Sequence, residues 1–143
     1  MTVRITRNYR FVASHRLHLD HLSEEANQKL FGKCNNPYGH GHNYVVSITV
    51  HGPIDERTGL AVSVADLDTL VRREVIDRYD HRYLNFDVAE FASVPSTTEN
   101  MAFAIRDHLQ ANWQTALGPN APRLVDIKVQ ETKRNSVALS LIS

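Results

Sequence analysis

His40 and His42 are separated only by Gly41, at the head of an alternating run that reads as a strand. On a strand, residues i and i+2 point to the same side, so both imidazoles can approach one ion. Their parity continues into Tyr44, Val46 and Ile48, which puts the pair at the end of an apolar face. His15 closes a second alternating run and, if the two strands pair, comes alongside as a third ligand. Three neutral imidazoles with one open position suit a catalytic zinc rather than a closed structural one. Gly39 and Gly41 fit this, since glycine permits the turn and leaves room beside a metal or ligand. The plainer alternative makes His-Gly-His a polar hairpin entry and His15 a half-buried strand end; spacing alone leaves both open. His18 and His21 follow where the first strand breaks down and read as surface residues. His51 and His108 read as structural.

Candidate proton carriers lie around this cluster. Cys34, the only cysteine, precedes His40 in a polar loop beside Lys33. A lone cysteine is commonly a small buried hydrophobe, whereas a nearby cation favours the reactive thiolate. Asp80-His81 follows a helical stretch, where an Asp can orient a His and raise its basicity. C-terminal capping is the simpler role for that pair. Cys34, His81 and Asp80 would also suit a cysteine hydrolase, but that leaves the three-His cluster unexplained. Glu131 continues the apolar parity of Val125, Ile127 and Val129, so a carboxylate stands where a hydrophobe is expected. It needs a donor partner. A neighbouring Arg or backbone amide would serve, and so would the two parallel N–H groups of a guanidine-like heterocycle edge.

The elements that must position these groups follow from periodicity. From Val3 to His15 the odd positions are largely apolar and the even ones polar, which predicts a long half-buried strand. Residues 18–39 predict a long loop with a helical turn around Ser23–Leu30. A second strand is expected over His42–Gly52, then a turn at Asp55–Gly59 and a short strand at Leu60–Val62. Ser63 is placed to cap a helix whose stripe is Leu67, Leu70, Val71, Val75 and Tyr79. Ser96 and Glu99 form a capping box for a second helix, with Met101, Ile105, Leu109 and Trp113 on its buried side. Two strands close the chain, one through Val125–Glu131 and one through Val137–Leu141. The order ββααββ predicts an α+β fold, a four-stranded antiparallel sheet with two helices on one face. The other face is too polar for a core and is open to partner subunits.

Composition narrows the function classes. The chain has 143 residues and 42% hydrophobic content, which suits a single domain with a real core. Sixteen Lys and Arg balance sixteen Asp and Glu, against the basic surplus of a nucleic-acid binder. One cysteine excludes an intramolecular disulfide framework. No apolar run approaches the ~20 residues of a membrane helix, and the N-terminus lacks the apolar core of a signal peptide. A cytoplasmic protein is expected.

Longer motifs carry a resemblance. Phe11-Val12-Ala13-Ser14-His15-Arg16-Leu17-His18 and the run from Leu30-Phe31-Gly32-Lys33-Cys34 to Gly39-His40-Gly41-His42-Asn43-Tyr44 resemble the 6-pyruvoyl-tetrahydropterin synthase family. Asp80-His81, Leu84-Asn85, Thr97-Thr98-Glu99-Asn100 and Glu131-Thr132 extend the match in order. The resemblance implies a tunnelling fold, with subunits joined edge to edge into a homohexamer of two stacked trimers and active sites at subunit interfaces. It implies zinc on His15, His40 and His42, and Cys34 as the catalytic base. Asp80 and His81 would relay protons, Glu131 would hold the pterin's amino-pyrimidine edge, and Thr98-Glu99 would lie near that pocket. The implied reaction takes 7,8-dihydroneopterin triphosphate to 6-pyruvoyl-tetrahydropterin with loss of triphosphate. Lys33, Arg16, Lys133 and Arg134 are candidates to meet that triphosphate. The alternative is the 6-carboxy-tetrahydropterin synthase of queuosine biosynthesis. The five residues between Cys34 and His40 resemble the pyruvoyl-forming type; the carboxy-forming type typically has three. Tyr38 and Val12 depart from the family's usual residues.

Overall fold

The computed structural model describes residues 1–141. Strand β1 (Thr2–His15) leads through a loop into helix α1 (Glu24–Phe31), a 3-10 turn (Gly32–Asn35) and strand β2 (His40–Pro53). Helix α2 (Val64–Val71) continues through a π-helical turn (Arg72–Ile76) into α3 (Asp77–Tyr79). Then come β3 (Arg82–Tyr83), α4 (Leu84–Asp87), a 3-10 turn (Ala89–Phe91), α5 (Thr98–Leu117), β4 (Arg123–Thr132) and β5 (Asn135–Ser140).

The alternation in the first two strands becomes a long antiparallel ladder, from Thr2 opposite Pro53 to His15 opposite His40. Its inner face carries Phe11, Ala13, Tyr44, Val46, Ile48 and Val50, all buried. β4 adds Val125, Ile127 and Val129, while Leu67, Leu70 and Val71 from α2 and Met101, Ile105 and Leu109 from α5 close over them. Arg7 falls in the inner parity of β1 yet is accommodated. Its Nε and Nη2 donate to the two Asp68 oxygens of α2 at 2.9 and 2.8 Å, and the Tyr9 hydroxyl donates to Asp68 Oδ1 at 2.6 Å. The outer face is a polar ladder; Thr6 meets Thr49 at 2.7 Å, and Ser47 Oγ donates to Asn8 at 2.7 Å.

The sheet is mixed and five-stranded, in the order β3-β1-β2-β4-β5, not the four-stranded antiparallel sheet expected. The extra strand β3 runs parallel to β1, pairing Arg82 with Ala13 and Tyr83 with Ser14. Two residues are too few to show a period, so periodicity could not reveal it. Leu60–Val62 is no strand. Gly59 N–H bonds to Asp55 O at 2.7 Å and Asp55 N–H to Leu60 O at 2.9 Å, closing a loop on itself. Val62 is nonetheless buried, one residue before the Ser63 cap, where an apolar side chain fixes the helix entry. The second long helix is capped by Thr97, whose side chain accepts from Asn100 N–H at 3.2 Å, rather than by Ser96. Ser23 caps α1 by accepting from Ala26 N–H at 3.0 Å, so the helical turn foreseen there is a full helix.

Candidate active site

The β1–β2 ladder sets the site. His15 and His40 are directly paired and His42 lies opposite Ala13, so three imidazoles meet at one end of the sheet. Ring centroids are 4.7 Å apart for His15 and His40, 4.6 Å for His40 and His42, and 5.2 Å for His15 and His42. One ligand atom from each lies within 4.8 Å of the others. Gly39 makes the approach possible. Its φ is 76°, and a Cβ there would lie 2.8 Å from the Tyr83 ring and 3.2 Å from the His15 carbonyl. Gly41 carries no such demand, since a Cβ there would stand 3.8 Å from its nearest neighbour.

The donor set fits a metal. His15 is fully buried and its Nδ1 lies 2.8 Å from the Ser96 carbonyl. A carbonyl only accepts, so Nδ1 carries the proton and Nε2 is left with its lone pair. His15 Nε2, both His40 nitrogens and His42 Nε2 are buried with no hydrogen-bond partner. Leaving such atoms unsatisfied costs about 1–3 kcal/mol apiece, and a cation relieves it. Burial pulls the His15 pKa down to about 4 and lowers that of His40 as well. Neutral imidazole is the ligating form. The Ser96 bond is the kind of outer contact that would orient His15 toward a metal.

Glu131 joins this cluster from the inner face of β4, where its parity with Val125, Ile127 and Val129 points it, beside an irregularity. The β4–β5 register slips by one between Gln130 and Thr132, leaving Glu131 at a bulge at the end of the strand. Its carboxylate oxygens lie 3.8 Å from His15 Nε2 and 3.7 Å from His42 Nε2. The Thr98 hydroxyl, at the start of α5, donates to Glu131 Oε2 at 2.7 Å. Thr98 is buried, while its neighbour Glu99 is exposed. Cys34 sits in the 3-10 turn after α1, near enough for Glu131 to act on it. Burial and that carboxylate push its thiol pKa up, the reverse of what Lys33 alone suggested.

Asp80 and His81 lie elsewhere on the chain, pinned to the edge of β1. Asp80 Oδ1 accepts from Val12 N–H at 3.0 Å, and His81 N–H donates to Val12 O at 2.7 Å. His81 adopts φ 59°, in the left-handed region, and its side chain is 78% exposed. A cleft of about 560 Å³ is lined by Ser14, His42, Asn43, His81, Arg82 and Asp87. Among the described residues no hydrogen bond joins Cys34 to Asp80 or His81, so one chain does not assemble the hydrolase-like triad. His18, read as a surface residue, faces Asn35 Nδ2 with its Nδ1 at 2.8 Å and helps tie the loop. Arg16 is spent locally, its Nε donating to the Asn35 carbonyl at 3.2 Å.

Two participants escaped sequence reasoning. Ser96 acts through its backbone carbonyl, which no residue type announces. The Tyr44 hydroxyl is buried without a partner, on a ring edge-on to His42 at 5.6 Å. Its place two residues beyond His42 on the same strand face was the available signal.

Known proteins share this framework. A family model described as 6-pyruvoyl tetrahydropterin synthase matches residues 4–140. A human protein named 6-pyruvoyl tetrahydrobiopterin synthase is 47% identical over 133 residues, covering 93% of this chain and 88% of its own. The Drosophila melanogaster protein of the same name is 44% identical, covering 94% and 77%. A Bacillus subtilis 6-carboxy-5,6,7,8-tetrahydropterin synthase is 38% identical over a shorter 97 residues, covering 65% and 62%. The structure of Caenorhabditis elegans 6-pyruvoyl tetrahydropterin synthase superposes with a TM-score of 0.86 at 34% identity, covering 98% of this chain and 96% of its own.

Proposed function

Since the chain belongs to the 6-pyruvoyl tetrahydropterin synthase family, we propose that it converts 7,8-dihydroneopterin triphosphate to 6-pyruvoyl-tetrahydropterin with zinc held by His15, His40 and His42. The observation that carries this reading is the enclosed set of unpartnered imidazole nitrogens with the Glu131 carboxylate 3.7–3.8 Å away. Bound there, zinc would lower the pKa of the substrate's side-chain hydroxyls and polarise the developing carbonyl.

The chain's own groups supply the rest. Glu131 accepts the two parallel N–H groups of the pterin's amino-pyrimidine edge, and the Thr98 hydroxyl holds the carboxylate in orientation from behind. Glu99, one residue on and exposed, borders that pocket. Cys34 removes a proton from the substrate side chain as triphosphate leaves. His81 returns one from the other side, with Asp80 Oδ2 3.6 Å from its Nε2 to steer the ring. The exposure of His81, and the absence of a hydrogen bond between it and Cys34 within one chain, support a site completed between subunits of a homohexamer. The polar outer face of the sheet suits the lining of the barrel such an assembly would form.

The test is incubation of the zinc-loaded protein with 7,8-dihydroneopterin triphosphate, with products weighed by mass spectrometry. A product that has lost triphosphate and kept all three side-chain carbons is expected. One shortened to a carboxylate, with a two-carbon fragment released, would assign the 6-carboxy-tetrahydropterin reaction instead.

A further inference from the structure

Tyr79 is the last residue of α3, and the Asp80–His81 pair follows it at once. A side-chain-bearing residue at φ 59°, as His81 is, holds that conformation only when its surroundings over-determine it. β1 supplies one side of the constraint through the two Val12 bonds. A second constraint comes from the opposite direction. The Tyr79 ring is fully buried and packs against Phe11 and Phe91 at 5.7 and 6.1 Å. Its hydroxyl donates to Glu90 Oε1 in the Ala89–Phe91 turn. The other oxygen, Glu90 Oε2, meets His108 Nε2 of α5 at 2.9 Å. A carboxylate only accepts, so His108 carries its proton on Nε2. The nearby Arg78 is occupied by Glu74, at 3.0 Å.

We infer that Glu90, bridging Tyr79 and His108, is a positioning residue for the Asp80–His81 pair. A phenylalanine at 79 would bury as much apolar surface. The hydroxyl adds direction, because charge-assisted bonds at both ends of one carboxylate resist sliding and rotation of the helix end against α5. The bridge therefore holds α3 while β1 draws Asp80 and His81 into place. The inference rests on the proposed proton-transfer role of His81.

The experiment measures kcat, KM and thermal unfolding of zinc-loaded Tyr79→Phe, Glu90→Gln and His81→Ala, and of Tyr79→Phe combined with His81→Ala, on 7,8-dihydroneopterin triphosphate. Tyr79→Phe and Glu90→Gln should each lower kcat by about tenfold, as a displaced catalytic group does, with KM unchanged. Tyr79→Phe should add no further loss once His81 is Ala. The same fractional loss in both backgrounds, or a fall in unfolding temperature with kcat intact, would overturn the inference. If the inner variants unfold, His108→Gln at the outer end of the bridge should show the same kcat loss, and full activity there would overturn it equally. A slowed His81→Ala beside a full-rate Tyr79→Phe would sink this inference alone. Full activity in His81→Ala would remove the role of the pair and this inference with it.

Discussion

His15 shows how a single side chain is committed before any ligand arrives. Its proton is held on Nδ1 by the Ser96 carbonyl, and burial keeps the ring neutral, so Nε2 offers a lone pair in a place with nothing else to receive it. His40 has no such anchor and both of its nitrogens lack partners, which makes it the proposed ligand whose loss is least confounded by packing. His40→Ala should bind less than a stoichiometric zinc by metal analysis while its circular dichroism stays that of the parent; full occupancy would refute the ligand assignment. Cys34→Ala should retain zinc and thermal stability yet lose two or more orders of magnitude in turnover, on the order expected for removal of a general base. Unchanged rates would take Cys34 out of the mechanism. The types and spacing of these residues were legible in the sequence. The Ser96 contact was not, since a backbone carbonyl is common to every residue.

At the scale of elements, the periodic segments were read correctly, as were the helical turn at Ser23–Leu30 and the turn at Asp55–Gly59, whereas two short aperiodic segments were not. β1, β2, α2 and α5 each bury a stripe long enough to show a period of two or of 3.6. β3 has two residues, and the loop at Leu60 satisfies its backbone through its own turn. The helix cap moved from Ser96 to Thr97 because both residues can cap, and Ser96 is buried against His15. The oddity of Arg7 in an apolar parity is resolved by α2, where Asp68 takes its guanidinium and the Tyr9 hydroxyl together. Those hydrogen bonds, the Arg7 bond foremost, hold the Asp68 carboxyl below its ordinary value of 3.8. A depressed folded value means stability present above 3.8 and lost as pH falls through the folded value. Asp68→Asn should therefore unfold at a lower temperature than the parent at neutral pH. The gap should shrink as pH drops below the ordinary carboxylate range. A pH-independent gap would show that the β1–α2 clasp works by packing rather than by charge.

For the whole molecule, the absence of a hydrogen bond between Cys34 and His81 within one chain has a direct consequence. If each site draws on two subunits, Cys34→Ala and His81→Ala are defective in different halves of it. Co-refolded mixtures of the two inactive variants should then recover measurable turnover that neither shows alone, with sedimentation reporting a six-subunit mass. Mixtures as inactive as their components would place the whole site in one chain. Among the described residues no helix is long and apolar enough to cross a membrane, in line with the hydropathy of the chain.

Local pattern determined which residues share a strand or helix face, and therefore that His40 and His42 point together, that Glu131 stands in an apolar row, and that the fold is α+β. Those are properties of period, and period is written in sequence. Tertiary structure decided which strands pair, and so brought His15 opposite His40 from 25 residues away in the chain. It also decided that Glu131, beside the irregularity between Gln130 and Thr132, would come within 3.7–3.8 Å of His42 and His15, and that Asp80 and His81 would be held against β1 with no hydrogen bond to Cys34. Pairing, register and contact depend on the balance of packing and hydrogen bonding across the whole chain, which no local window contains.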